Sequence, residues 1–131
     1  MEDNAEVVQE IFAAQLAGDF DSFIRHWHDD CEYTFPGQNA VGRTYRGHQG
    51  MREFWDLLGS ALPELGFELT QIFVAGDEVA AEWRDWGTNQ AGEHYESWGI
   101  TRMTLEGGKV RRARDMMDTQ KLFAILGPPA G

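Results

Sequence analysis

The hydrophobic period of the chain changes once, near Gly66, and that change constrains the fold more than any other feature. Before it, apolar residues recur at helical spacing. After it, short segments alternate in the manner of strands. Asn4 reads as an N-cap, with Val8, Ile11, Phe12 and Leu16 on one face of a first helix that Ala17-Gly18-Asp19 ends. A shorter helix is expected from Phe20 to Trp27. Cys31 to Phe35 then reads as a short strand stopped by Pro36-Gly37, and the polar, glycine-punctuated stretch from Gln38 to Gly50 as a loop. A third helix carries Met51, Phe54, Trp55 and Leu58, and Pro63 closes it. Four strands follow in sequence: Phe67–Ala75, Glu78–Trp86, Glu93–Leu105 and Val110–Asp118. Glu106-Gly107-Gly108-Lys109 is the tight turn between the last two. A terminal helix, Thr119–Leu126, ends at Gly127-Pro128-Pro129. Helices segregated from sequential strands imply one α+β domain over residues 1–131. Its sheet is a curled antiparallel one, with helices on the concave face and a hollow between the layers.

Composition narrows the partners. Five Trp and eight Phe spread along 131 residues supply a packed core. A formal net charge of −11 argues against nucleic acid and anionic membranes, which both demand a cationic surface. The basic run from Lys109 to Arg114 alternates with smaller residues and reads as the polar face of a strand. One cysteine, Cys31, excludes internal disulfides and a multi-cysteine zinc site. No apolar run approaches the roughly 20 residues of a membrane helix. Met1-Glu2-Asp3-Asn4 is acidic where a signal peptide is basic, so a cytoplasmic location is expected.

The chemistry-bearing candidates lie on the strands. Alternation puts Arg111, Ala113, Asp115 and Met117 on one face, and the less charged face is the inner one. Asp115 is therefore an inward carboxylate, and an apolar surround raises its pKa toward general acid–base work. The competing reading pairs it with an arginine as a structural group. Val79, Ala81, Trp83 and Asp85 form a second such face, ending in a carboxylate that could equally shape a turn before Gly87. His94 and Glu96 share a face with Trp98 and Ile100; His94 could relay a proton or simply meet water. His26-Trp27-His28 followed by Asp29-Asp30 suggests metal ligands only superficially, because residues two apart at a helix end diverge. No metal is expected. There is no Gly-x-Ser-x-Gly elbow or phosphate-loop spacing.

Several landmarks then appear in order: Leu16-Ala17-Gly18-Asp19-Phe20, Trp27-His28-Asp29-Asp30-Cys31-Glu32-Tyr33, Gly42-Arg43-Thr44-Tyr45-Arg46-Gly47 and Gly108-Lys109-Val110. By these the chain resembles the SnoaL-like, nuclear-transport-factor-2-like (NTF2-like) superfamily over nearly its full length. The resemblance implies a cone-shaped curved sheet with helices closing a deep pocket, an NTF2-like, cystatin-like α+β barrel. It also implies a homodimer formed through the outer sheet face. Arg114-Asp115-Met116-Met117-Asp118 is similar to the Arg-Asp-Tyr-Phe-Asp of limonene-epoxide-hydrolase-type members. That likeness implies Asp115 as the water-activating base, Asp85 as the acid and Tyr33 as a water holder. Trp83 stands where those members carry an arginine, and Phe35 where they carry an asparagine. The carboxylate positions of ketosteroid isomerases fall at or near Phe35 and Ile100, which cannot do that chemistry. Polyketide cyclases of the superfamily use a pocket carboxylate and need no water site.

The expectation is a cofactor-independent acid–base enzyme, of cyclase or isomerase type, acting on a small hydrophobic substrate. Asp115, Asp85, Tyr33 and His94 are the catalytic candidates. Phe35, Phe54, Leu58, Trp83, Trp98, Ile100 and Met117 are the candidates for the pocket wall. An epoxide hydrolase and a non-catalytic, ligand-binding dimeric module are the alternatives.

Overall fold

The computed structural model describes residues 3–129. Met1 and Glu2 of the acidic leader, and the last two residues of the expected 1–131 domain, lie outside the described residues. The order is α1 (Asn4–Ala17), α2 (Phe20–Ile24), β1 (Trp27–Phe35), β2 (Arg43–Arg46), α3 (Gly47–Ala61), β3 (Glu64–Ala75), β4 (Glu78–Thr88), β5 (His94–Glu106), β6 (Lys109–Met117) and α4 (Thr119–Leu126). Six strands form one curved, unclosed sheet in the order β2-β1-β6-β5-β4-β3.

The α+β class and the helix-lined curved sheet are as expected; four details differ. The sheet is mixed, because β1 and β6 run parallel while the other pairs are antiparallel. A parallel partner needs a long crossover, and α3 with β2 to β5 supplies it. β1 begins at Trp27, so the second helix stops at Ile24. The stretch read as a loop holds β2, paired with β1 from Glu32↔Arg46 to Phe35↔Arg43, and the start of α3. Asp3, not Asn4, caps α1: its side chain accepts from the Glu6 amide at 2.8 Å.

The core lies between the helices and the inner sheet face. Val7, Val8, Ile11 and Ala14 of α1 are buried, as are Met51, Phe54 and Leu58 of α3, and Leu122 and Ile125 of α4. Asp118, the end of the last motif, caps α4 by accepting from the amides of Gln120 and Lys121. At the β5–β6 turn Gly107 and Gly108 both have positive φ (59° and 79°), which two-residue hairpins with matching twist require. Beyond that turn the ladder slips by one residue. Leu105 faces Val110, yet Thr104 faces Arg112. Arg111 is the extra residue of a β-bulge, and its guanidinium donates to the backbone carbonyl of Asp30. Both Val110 and Ala113 are consequently buried, where strict alternation had put Val110 outside.

Candidate active site

From Gly99 to Thr104 on β5 the bulge sets what faces β6: Thr101 pairs with Asp115 and Gly99 with Met117. On the other side of β5, Trp83 pairs with Gly99 and Asp85 with Ser97. Since Trp83 and Asp85 face inward, the inner residues of β5 are Tyr95, Gly99, Thr101, Met103 and Leu105, all buried. This corrects the face expected for β5. Trp98 is 63% exposed on the outside, Ile100 is partly buried there, and neither reaches the pocket. His94 is exposed too, 4.0 Å from Glu96 and 3.4 Å from the Thr88 hydroxyl, away from the other candidates. Their apolar neighbours Trp98 and Ile100 made that face look inner, but register decided otherwise.

The inner face and the helices enclose a cavity of about 80 Å³. Five expected wall residues line it: Phe35, Phe54, Leu58, Trp83 and Met117. So do Tyr33, Asp85 and Asp115. Among the lining residues that escaped the sequence reading of the site are Thr101, Tyr95 and Trp27. Thr101 and Tyr95 carried a faint signal, since Thr101, Met103 and Leu105 make an uncharged alternating set. Trp27 was hidden by its assignment to a helix.

The polar groups of the cavity form two separate clusters. In the first, the Trp83 indole N–H donates to the Thr101 hydroxyl at 2.9 Å. Thr101 donates in turn to Asp115 Oδ1 at 2.6 Å, and the Tyr33 hydroxyl donates to Asp115 Oδ2. An indole nitrogen can only donate, which leaves the single threonine proton free to point at the carboxylate. Burial is the main cause pushing Asp115 up from 3.8, to about 6, against the hydrogen bonds of Thr101 and Tyr33, which lower it. The nearby Asp85 charge raises it further. Burial, with the Asp115 charge and hydrogen bond, holds Tyr33 well above the usual tyrosine range, so it stays a donor. In the second cluster, the Tyr95 hydroxyl donates to Asp85 Oδ2 at 2.5 Å. Burial again raises the Asp85 pKa, with Tyr95 opposing.

Among the described residues, neither carboxylate is paired with an arginine. Arg84 faces Glu68 at 3.4 Å, and Arg112 lies 4.0 Å from Glu32. The histidines of the metal-like string are engaged locally. His26 faces Glu10 at 2.8 Å, and His28 Nδ1 accepts from the Asp30 amide. Among the described residues, no three His, Cys, Asp or Glu side chains gather as a metal site, and no helix is long and apolar enough to cross a membrane.

Comparison with known proteins agrees with this geometry. No curated protein matches the chain. Among solved structures, an NTF2-like protein of unknown function from Burkholderia pseudomallei superposes with a TM-score of 0.90 at 18% identity, covering 97% of this chain and 99% of its own. TerC, co-crystallised with polyporic acid, gives 0.87 at 22% identity over 94% and 97% of the two chains. A protein from Jannaschia described as a candidate SnoaL-like polyketide cyclase gives 0.81 at 22%, covering 96% and 93%. At these identities the likeness is one of fold. The sequence itself carries the assignment further: the profile of the SnoaL-like domain matches residues 8–113, from the first buried turn of α1 to the strand that bears Asp115, and the chain belongs to that family.

Proposed function

We propose that the chain is a cofactor-independent acid–base enzyme of the cyclase or isomerase type, acting on a small hydrophobic substrate with Asp115 as its base. The observation that carries this reading is the setting of Asp115. Its carboxyl is buried against an apolar cavity, oriented by two hydroxyl donors, and raised to about 6. Such a group is mostly ionised at pH 7, yet it is a far better proton acceptor than an exposed aspartate. Each oxygen accepts one hydrogen bond and keeps a second lone pair for a substrate proton.

In the proposed reaction Asp115 removes a proton from carbon beside a substrate carbonyl. The electron pair moves onto the carbonyl oxygen, and the resulting enolate attacks an internal electrophile or is reprotonated elsewhere. Asp85 and Tyr95 would supply the second polar contact. Walls of Phe35, Phe54, Leu58 and Met117 keep water from the intermediate, which favours rearrangement over hydrolysis. Trp83 contributes an indole spent on Thr101 instead of a guanidinium, and Phe35 adds no water-holding amide. The descriptions of the Jannaschia and TerC relatives fit this substrate class. The outer sheet face exposes Phe73, Trp98 and Met116 among charges of both signs, which supports pairing of two copies through it.

The test is proton exchange. Wild-type protein in D2O should accelerate C–H to C–D exchange of an enolisable aromatic ketone, followed by NMR, and Asp115→Asn should reduce it by about 10³-fold while remaining folded. Full exchange in that variant would sink the assignment. Solvent oxygen-18 appearing in the product would redirect the reading to hydrolysis.

A further inference from the structure

A glycine inside a helix asks for a cause, because it holds the helix less firmly than alanine does. Every other described glycine has a reason to be one: its φ is positive, or a Cβ would crowd a neighbouring atom. Gly59 in α3 has neither. Its φ is not positive, and a Cβ built on it would meet no described atom within 4 Å. What it borders is a hollow of about 250 Å³ between α1, α3 and β3. Trp55, one turn earlier on the same helix face, lines that hollow with it. A side chain at position 59 would lean toward Trp55 and into that space, because helical side chains tilt toward the helix N-terminus.

The hollow shares Gln15, Phe54, Leu58, Leu62, Leu65 and Phe67 with the cavity that holds Asp115. None of the described residues that line it is charged, in a chain where 25% of residues are. A void of ~150 Å³ in a protein core holds a benzene. The cavity at Asp115, about 80 Å³, is below that size, and the hollow is above it. A ring-sized group therefore has room in the hollow and not beside the carboxylate.

We infer that the hollow is the site for the body of the substrate, and that Gly59 keeps it open and so sets the largest substrate accepted. The body it takes is an uncharged hydrocarbon group of about ring size. Only the small carbonyl end of such a ketone passes Phe54 and Leu58 to reach Asp115. Gly59 touches no reacting atom; it determines specificity by the side chain it lacks. The inference rests on the reading of the inner cavity as the place of proton transfer, and it adds where the unreacting part of the substrate lies.

The experiment measures Kd by ligand-observed NMR for 2-butanone, cyclohexyl methyl ketone and 4-acetylcyclohexanecarboxylate. The cyclohexyl ketone should bind wild-type protein at least about tenfold more tightly than 2-butanone, the factor that two buried methylenes give. The carboxylate should bind no better than 2-butanone. Gly59→Phe fills the hollow, so it should bring the ratio of the two neutral ketones close to one while 2-butanone binds as before. Gly59→Leu stands in if the larger ring disturbs α3. Gly59→Ala should keep most of the preference and raise the urea midpoint, since the position already has helical φ. An unchanged ratio in the filled variants, no preference in the wild type, or a less stable Gly59→Ala overturns the inference. Running the same panel on Asp115→Asn, beside the exchange assay, separates it from the functional proposal. Size preference kept with exchange lost supports both. Preference kept with wild-type exchange sinks only the base assignment. No preference with exchange lost sinks only the body site, and no preference with wild-type exchange sinks both.

Discussion

The two inward carboxylates stand on the same sheet and differ in how they are held. Asp115 has a hydroxyl donor on each oxygen, and one donor is itself fixed by the Trp83 indole. Asp85 has Tyr95 on one oxygen and, among the described residues, no hydrogen-bond partner on the other. The first is held through both oxygens; the second is held through one, and its other oxygen is buried and unpaired. Burial is the main cause raising both pKa values, so burial does not separate them. Their hydrogen bonds do. A base must be held in geometry, and the carboxylate held through both oxygens meets that demand more fully than the one held through a single oxygen.

The sharpest way to break this contrast is Asp115→Asn. Beyond the rate loss stated above, it carries a stability signature. The folded pKa of Asp115 lies above the unfolded value, about 6 against 3.8, so the folded state binds the proton more tightly. The wild type therefore gains stability relative to the variant as pH falls from 8 to 4, by up to about 3 kcal/mol, since each pKa unit is worth 1.36 kcal/mol. Urea unfolding of both proteins at the two pH values checks the sign; a constant difference would contradict a carboxyl whose pKa burial raises. Next in size is Gly99→Ala. A Cβ there would meet the Trp83 ring at 2.6 Å and the Met116 carbonyl at 2.7 Å, so the indole must leave Thr101. Exchange should fall by roughly 10²-fold with Asp115 still present, because misplacement alone costs that much. Unchanged exchange would mean that the Trp83–Thr101 relay is idle.

A smaller effect separates the tyrosines. Tyr33→Phe removes a bond that lowers the Asp115 pKa, so the acid limb of the rate profile should move upward from about 6 and the rate drop about tenfold. Tyr95→Phe should leave that limb in place and act on binding. Equal displacement by both would merge the clusters into one. Smallest of all is Trp98→Lys on the outer face: sedimentation should show a monomer, while the exchange rate per chain stays within twofold. A dimer unaffected by that charge would move the interface elsewhere.

How much of this was readable beforehand follows a simple physical division. Alternation and turn chemistry are local, so the four late strands, the Gly107-Gly108 hairpin, α4 and the inward aim of Asp115 and Asp85 were all legible. The family motifs brought Tyr33 to Asp115. What failed was non-local. The parallel pairing of β1 with β6 leaves no local mark, and it turned an expected helix end into a strand holding Trp27. The face of β5 hung on register, so Thr101 and Tyr95 were missed while His94, Trp98 and Ile100 were placed inside.

Arg111 shows how fine that dependence is. Were the intact strand paired from Leu105↔Val110 with no bulge, Asp115 would stand opposite Ile100, not Thr101. The bulge takes the odd residue out of the count and so holds the frame of the site. Deleting Arg111 should close a regular ladder in which Thr104 still faces Arg112 and Thr101 still faces Asp115, so the base should keep its hydroxyl neighbour. Strand length at the turn can thus change by one residue while the catalytic pairing stays in place.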